Sequence, residues 1–365
     1  MGGVVKMAHF ETIQEIVIEA SQKMTPHVWD HVVGGAESET TLCRNRQALD
    51  SLALQPRVMR DVTKIDTSTS FLGKEIRIPV CLAPIGNLEG LYPQGSQLTL
   101  KAAKDFGIFS FLSSVNALPI EEAFSIAGEN LVFQLYLQGD EAWTDAYLDR
   151  IAESRCRAFC LTADIAFYGR RERDLINRHH PPGREKGGRE GFQYQAAMTW
   201  DLVDKARDRL NIPVIVKGIA TAEDARLALE HHVEVVYVSN HGGRQLDHGR
   251  GCADILPEIV DVVGNRAEIV VDGGFARGTD ILKAVAMGAR AVGIGKLQAW
   301  ALAVGGDAGV MRMLEILEDE IFVSMGLLGV TRLDELDPSY LHATSPVKVA
   351  GPISPFPNLE KLGLR

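Results

Sequence analysis

From Pro79 to Met325, short apolar runs alternate with amphipathic stretches, and each pair spans the roughly 30 residues of one strand–helix unit. Eight runs rich in β-branched and aromatic residues read as strands: Val80–Ile85, Ile108–Ser113, Leu131–Leu137, Ala158–Ala163, Pro213–Lys217, Val233–Val238, Glu268–Asp272 and Ala291–Gly295. Between them, helical periodicity predicts helices that include Ser96–Asp105, Glu141–Glu153, Ala222–Glu230 and Thr279–Met287. The second and third of these follow Asp140 and Thr221, which suit the N-cap position. Eight such units in series predict an α/β fold of the closed (β/α)8, or TIM, barrel type. A doubly wound open sheet is the competitor, but its Gly-rich turn after the first strand is missing.

The chain reads as a single domain over residues 1–365, with an N-terminal helical segment and lead-in (9–78), the barrel (79–326) and a C-terminal extension (327–365). Thr344–Arg365 carries four prolines and no periodicity, so it is expected to stay mobile or to wrap a neighbouring surface.

Active sites of such barrels lie at the C-terminal ends of the strands, and polar residues accumulate there in this chain. Ser113 and Ser114 end the second run, Gln134 and Tyr136 come late in the third, and Thr162 and Asp164 end the fourth. Lys217 ends the fifth, Asp272 the seventh, and Lys296 follows the eighth. After the sixth comes Ser239-Asn240-His241-Gly242-Gly243-Arg244-Gln245-Leu246-Asp247, in which two glycines let the backbone turn while an imidazole and a guanidinium leave one short loop. A lone histidine there would be an ordinary turn residue; convergence from seven strand ends favours catalysis.

Composition narrows the class. With 46% hydrophobic residues the chain can bury a large core, and its net charge of -10 with interleaved signs argues against nucleic acid or an anionic membrane as partner. No signal peptide or membrane span is visible, so a cytoplasmic location is expected. Cys43, Cys81, Cys156, Cys160 and Cys252 are an odd number without a paired ligand pattern, which predicts reduced thiols and no metal site.

Asp272-Gly273-Gly274, Arg277 and Gly295-Lys296 follow the seventh and eighth runs, where barrels commonly cradle phosphate with backbone N–H groups and a cation. Together with Gly35-Ala36, Pro56-Arg57, Ala83-Pro84, Ser113-Ser114, Phe133-Gln134-Leu135-Tyr136, Thr162-Ala163-Asp164, Gly169-Arg170-Arg171-Glu172, Val216-Lys217-Gly218 and Ser239–Asp247, this series resembles the FMN-dependent α-hydroxy-acid oxidases and dehydrogenases over about residues 9 to 342.

The resemblance implies FMN as cofactor, a small anionic 2-hydroxy acid as substrate, a 2-oxo acid as product, dioxygen or another electron acceptor, and a homo-oligomer. It makes His241 the base and Asp164 the partner of its imidazolium, a pairing suited to acid–base work near neutral pH. Arg171 and Arg244 would clamp the substrate carboxylate, since a planar guanidinium meets a carboxylate bidentately. Tyr136 would hydrogen-bond the substrate oxygen. Lys217 would place a positive charge beside the flavin ring. Ala83, Pro84, Ile85, Ser113, Gln134 and Thr162 would meet the ring's polar edge, with Ser239, Asp272, Gly273, Gly274, Arg277, Gly295 and Lys296 completing the cofactor site.

Four positions depart from the family. His31 stands where relatives usually carry a substrate-binding tyrosine, and its charge is expected to vary with pH. Val115 replaces a bulkier residue and should open the pocket. Ala276 and Lys296 stand where relatives carry arginines near the phosphate; lysine keeps the charge and loses the fork. The segment between Arg173 and Trp200 is short for the family, and its Pro181–Gly191 run reads as a mobile lid. Two alternatives follow: oxidation of a larger, specialised metabolite, or a flavin-binding protein of reduced catalysis acting in an assembly. An isomerase on a similar barrel would leave a His–Asp pair with two arginines unexplained.

Overall fold

The structure is a computed structural model that describes residues 10–179 and 192–359. Eight parallel strands close into a barrel: β1 (Val80–Leu82), β2 (Phe109–Ser113), β3 (Leu131–Leu135), β4 (Ala158–Thr162), β5 (Val214–Ile219), β6 (Val235–Val238), β7 (Glu268–Val271) and β8 (Ala291–Ile294). β8 pairs with β1 and β6 with β7, so no edge is left unpaired. The expected open-sheet competitor is thereby excluded. Nearly every strand residue is buried, as the continuous apolar runs require when helices cover the outside and side chains fill the inside.

Helices Glu141–Glu153 and Ala222–Glu230 have the bounds read from the sequence, and Asp140 and Thr221 cap them by accepting from Trp143 N and Asp224 N. Other strand ends differ from the sequence reading. Apolar character runs on through Ile85 and Leu137 although the strands stop at Leu82 and Leu135. β5 continues past Lys217 to Ile219, with a bulge at Gly218.

Three helices precede the barrel: α1 (Ile13–Lys23), α2 (Pro26–Val33) and α3 (Thr40–Asp50). α1 packs on the long helix Lys296–Leu328, which breaks at Gly305 and Gly306. Trp29 of α2 stacks on Trp300 at 5.8 Å. The Pro-rich tail takes the second of its two expected forms: through Leu359 it lies on its own barrel. Phe356 and Leu359 are fully buried, Phe356 meets Trp300 edge-on at 6.3 Å, and Asn358 N donates to Gln14 Oε1. These two apolar side chains, with Ile353, supply burial that the proline count concealed. The Pro181–Gly191 run expected to form a lid lies outside the described residues.

Candidate active site

The strand register sets the rim. Ser113 on β2 pairs with Gln134 on β3, and Thr162 on β4 with Lys217 on β5, so four polar side chains share adjacent positions at the barrel mouth. Ser113, Gln134 and Thr162 are at most 1% exposed, and the Ser113 hydroxyl, both ends of the Gln134 amide and the Thr162 hydroxyl have no hydrogen-bond partner among the described residues. A buried polar atom without a partner costs on the order of 1–3 kcal/mol. Four such atoms side by side fit a ligand with a polar edge, as the isoalloxazine ring of a flavin has. Two hydroxyls and an amide can both donate and accept, which suits the ring's carbonyl and N–H groups.

Lys217 carries the charge of this rim. Its Nζ lies 2.7 Å from Ser239 Oγ and 3.0 Å from Asp272 Oδ2, and Ser239 Oγ donates to Asp272 Oδ1 at 2.6 Å. Burial alone would lower the Lys217 pKa, but Asp272 and then Asp164 outweigh it, and the amine is held protonated. Its ammonium also sits 5.0 Å from the centre of the buried Tyr237 ring. Tyr237 occupies the barrel interior because Gly293 on β8 makes room: a Cβ there would lie 1.9 Å from the Tyr237 hydroxyl.

His241 and Asp164 meet across the loops after β6 and β4, with Nδ1 and Oδ1 2.8 Å apart. The approach depends on glycine. Gly218, at φ +111°, would place a Cβ 2.7 Å from the Asp164 Cβ, so only the bulge lets the carboxylate in. Both groups are mostly buried, their side chains 15% and 13% exposed. Burial lowers the His241 pKa, and Asp164 only partly restores it, so the ring is neutral near pH 7. Burial raises Asp164, but His241 and then Lys217 more than compensate and keep it ionised. The Nδ1 proton therefore points at the carboxylate, leaving Nε2 as the base. Tyr136 places its hydroxyl 3.4 Å from that Nε2. His241 itself has φ +59°, a strained backbone for a residue with a side chain, followed by Gly242 and Gly243 at +66° and +75°.

Arg171 and Arg244 lie together. Arg171 Nε donates to the Arg244 carbonyl at 3.4 Å, its guanidinium covers the Tyr168 ring at 4.1 Å, and it also donates to the Tyr168 hydroxyl. Arg244 donates to two carbonyls, His31 O at 2.7 Å and Gly34 O at 2.8 Å, at the negative end of α2. Among the described residues neither forms an ion pair, and burial followed by Arg171 brings the Arg244 pKa down to about 10. Two neighbouring guanidiniums without a carboxylate make an anion site.

The remaining substrate-side residues depart from expectation. His31 Nδ1 lies 2.9 Å from Asp174 Oδ2, and burial brings its pKa down to about 4 despite that carboxylate. Its charge is therefore constant near neutral pH, contrary to the sequence reading. Val115 packs on the loop after β1, close enough that a Cβ on Gly86 would lie 2.5 Å from its Cγ2. Arg277 and Lys296, read as phosphate ligands, turn elsewhere: Arg277 pairs with Glu320 at 2.6 Å, and Lys296 Nζ donates to Val33 O at 2.5 Å. Ala83, Pro84 and Ile85 follow β1 directly, and Gly273, Gly274 and Gly295 follow β7 and β8. Asp174 and Tyr168 were not singled out by sequence reasoning. Both lie within three positions of Arg171, but their partners His31 and Arg171 are identified only by the fold.

Comparison with known proteins agrees with this site. The model of the FMN-dependent dehydrogenase family matches residues 20–343, and the chain belongs to that family. It is 36% identical over 349 residues to an L-lactate oxidase of Nostoc sp., covering 88% of this chain and 95% of that one. It is 34% identical over 351 residues to the glycolate oxidase of Spinacia oleracea, covering 91% and 95%. A crystal structure of mandelate oxidase with benzoyl-formic acid superposes with a TM-score of 0.85 at 33% identity, covering 93% of this chain and all of that one. The cofactor is FMN, and the four buried atoms on β2, β3 and β4 suit the polar edge of its ring. Among the described residues no helix is long and apolar enough to cross a membrane, and no cluster of side chains could hold a metal ion.

Proposed function

We propose that the protein oxidises the hydroxyl-bearing carbon of a 2-hydroxy acid to a 2-oxo acid. The observation that carries this reading is a neutral His241 beside two neighbouring guanidiniums that form no ion pair among the described residues. Arg171 and Arg244 bind and orient the substrate carboxylate, which places the adjacent carbon and its hydroxyl near His241 Nε2. Tyr136, 3.4 Å from that nitrogen, hydrogen-bonds the substrate oxygen. His241 takes a proton from the carbon or its hydroxyl, and Asp164, 2.8 Å away, stabilises the imidazolium that forms. FMN, when bound, would supply the two-electron redox chemistry, with dioxygen or another acceptor as final oxidant, and Ser113, Gln134, Thr162 and Lys217 would hold its ring. Lys217 holds a positive charge at the rim throughout.

His31, fixed as a neutral ring on Asp174, and the small Val115 favour a substrate larger than those of two or three carbons. The proposal extends to a cytoplasmic homo-oligomer, supported by five unpaired cysteines and by the family resemblance. The test is anaerobic mixing of flavin-loaded protein with aliphatic and aromatic 2-hydroxy acids. Bleaching of the flavin absorbance by at least one is expected; no bleaching by any member defeats the reading.

A further inference from the structure

Among the described residues, the cations near the loops after β7 and β8 are each engaged elsewhere. Arg277 closes on Glu320 through two contacts, NH2 to Oε1 at 2.6 Å and Nε to Oε2 at 3.2 Å. Arg46 closes on Asp280 at 2.7 and 2.8 Å and on Asp50 at 2.6 Å. Lys283 donates to Leu49 O at 2.8 Å. Lys296 reaches back to the end of α2, donating to Val33 O at 2.5 Å and Gly34 O at 3.3 Å. Gly34 O also accepts from Arg244 at 2.8 Å, so Lys296 has joined the substrate-side cations. Ala276, buried, adds no charge.

The helix Gly278–Ala286 after β7 is no freer. Asp280 Oδ2 accepts from the N–H groups of Ala276 and Arg277 at 3.1 Å, and Glu320 Oε2 from that of Gly278 at 2.7 Å. Its N-terminal donors are answered by two carboxylates, which would repel an incoming phosphate. What the loops still offer is backbone: Gly273 and Gly274 at φ +103° and +85°, and Gly295, where a Cβ would meet nothing within 4 Å.

We infer that the phosphate end of the flavin lies at the Gly273, Gly274 and Gly295 turns with no cationic side chain engaging it, so that riboflavin, the dephosphorylated flavin, binds nearly as tightly as FMN. The inference rests on the flavin reading of the barrel mouth. Each charge-assisted bond to a phosphate is worth about tenfold or more in affinity, and removing all of them leaves the ring end to supply the binding. Ser113, Gln134, Thr162 and Lys217 are the groups that do so.

The experiment strips the full-length protein of flavin and titrates it separately with FMN and riboflavin, following flavin fluorescence at about 20 mM and about 500 mM salt. Dissociation constants within about tenfold of each other, with the FMN value nearly independent of salt, are expected. A preference for FMN greater than tenfold, or one that collapses at high salt, overturns the inference. Lys296→Gln is expected to leave the FMN-to-riboflavin ratio unchanged; a fall in that ratio shows that Lys296 does reach the phosphate. Binding of neither flavin defeats the flavin reading itself, an outcome distinct from equal binding of both.

Discussion

On the β4–β6 side of the barrel mouth, Arg171 and Arg244 lie side by side, held by carbonyls and an aromatic ring. On the β7–β8 side, Arg46 and Arg277 are each closed on carboxylates within 2.7 Å. The chemistry of the residues is the same and their situation is opposite. A buried charge without a counter-ion is costly and persists where a ligand supplies the missing charge. A charge already paired is spent on the fold. The contrast shows that arginines near a barrel mouth become informative only once their partners are known.

The largest effect is expected from His241→Ala, which should retain flavin and slow its anaerobic reduction by about 10²–10⁴-fold in stopped-flow measurements. Unchanged reduction would remove His241 from the mechanism and dissolve the distinction between the two sides. Asp164→Asn should cost about 10²-fold or more, since an amide no longer stabilises the imidazolium. The wild-type pH profile gives the sign: His241 must be neutral, and its pKa lies below the ordinary imidazole value. Activity should therefore persist as pH falls through about 6.5 and drop only below it. An acid limb above that value would contradict the burial of the pair.

A smaller effect sharpens the comparison directly. Arg171→Lys and Arg244→Lys should each raise KM by roughly 10- to 100-fold, because the carboxylate loses a bidentate partner. Arg277→Gln should leave KM within about twofold and lower the melting temperature slightly, as befits a partly exposed ion pair worth at most about 1 kcal/mol. Comparable KM changes on both sides would show that the pairing seen at Glu320 does not matter. Least tied to the chemistry is Gly293→Ala, which should destabilise by about 1–3 kcal/mol through collision with Tyr237. Denaturant midpoints for that variant and for the double change with Tyr237→Phe should show partial recovery, since the clash is with the hydroxyl.

The series of eight apolar runs was enough to read the barrel, because each parallel strand is buried on both faces and each helix on one. Strand ends were less legible: Ile85 packs against the core beyond the end of its strand, and Gly218 adds a residue that periodicity does not register. The tail stayed open between two forms, since prolines describe its backbone and say nothing of where Phe356 and Leu359 go.

The sequence by itself determined the fold and the inventory of the site, since hydrophobic period and the order of polar strand ends are properties of the chain. Tertiary structure decided which charges are free. Arg277 and Arg244 are alike in sequence, each near a glycine-rich turn after a strand. Glu320 meets Arg277 from a helix 43 residues on, and the carbonyls of His31 and Gly34 meet Arg244 from more than 200 residues before it. Such pairings arise from long-range packing, and no local pattern encodes them.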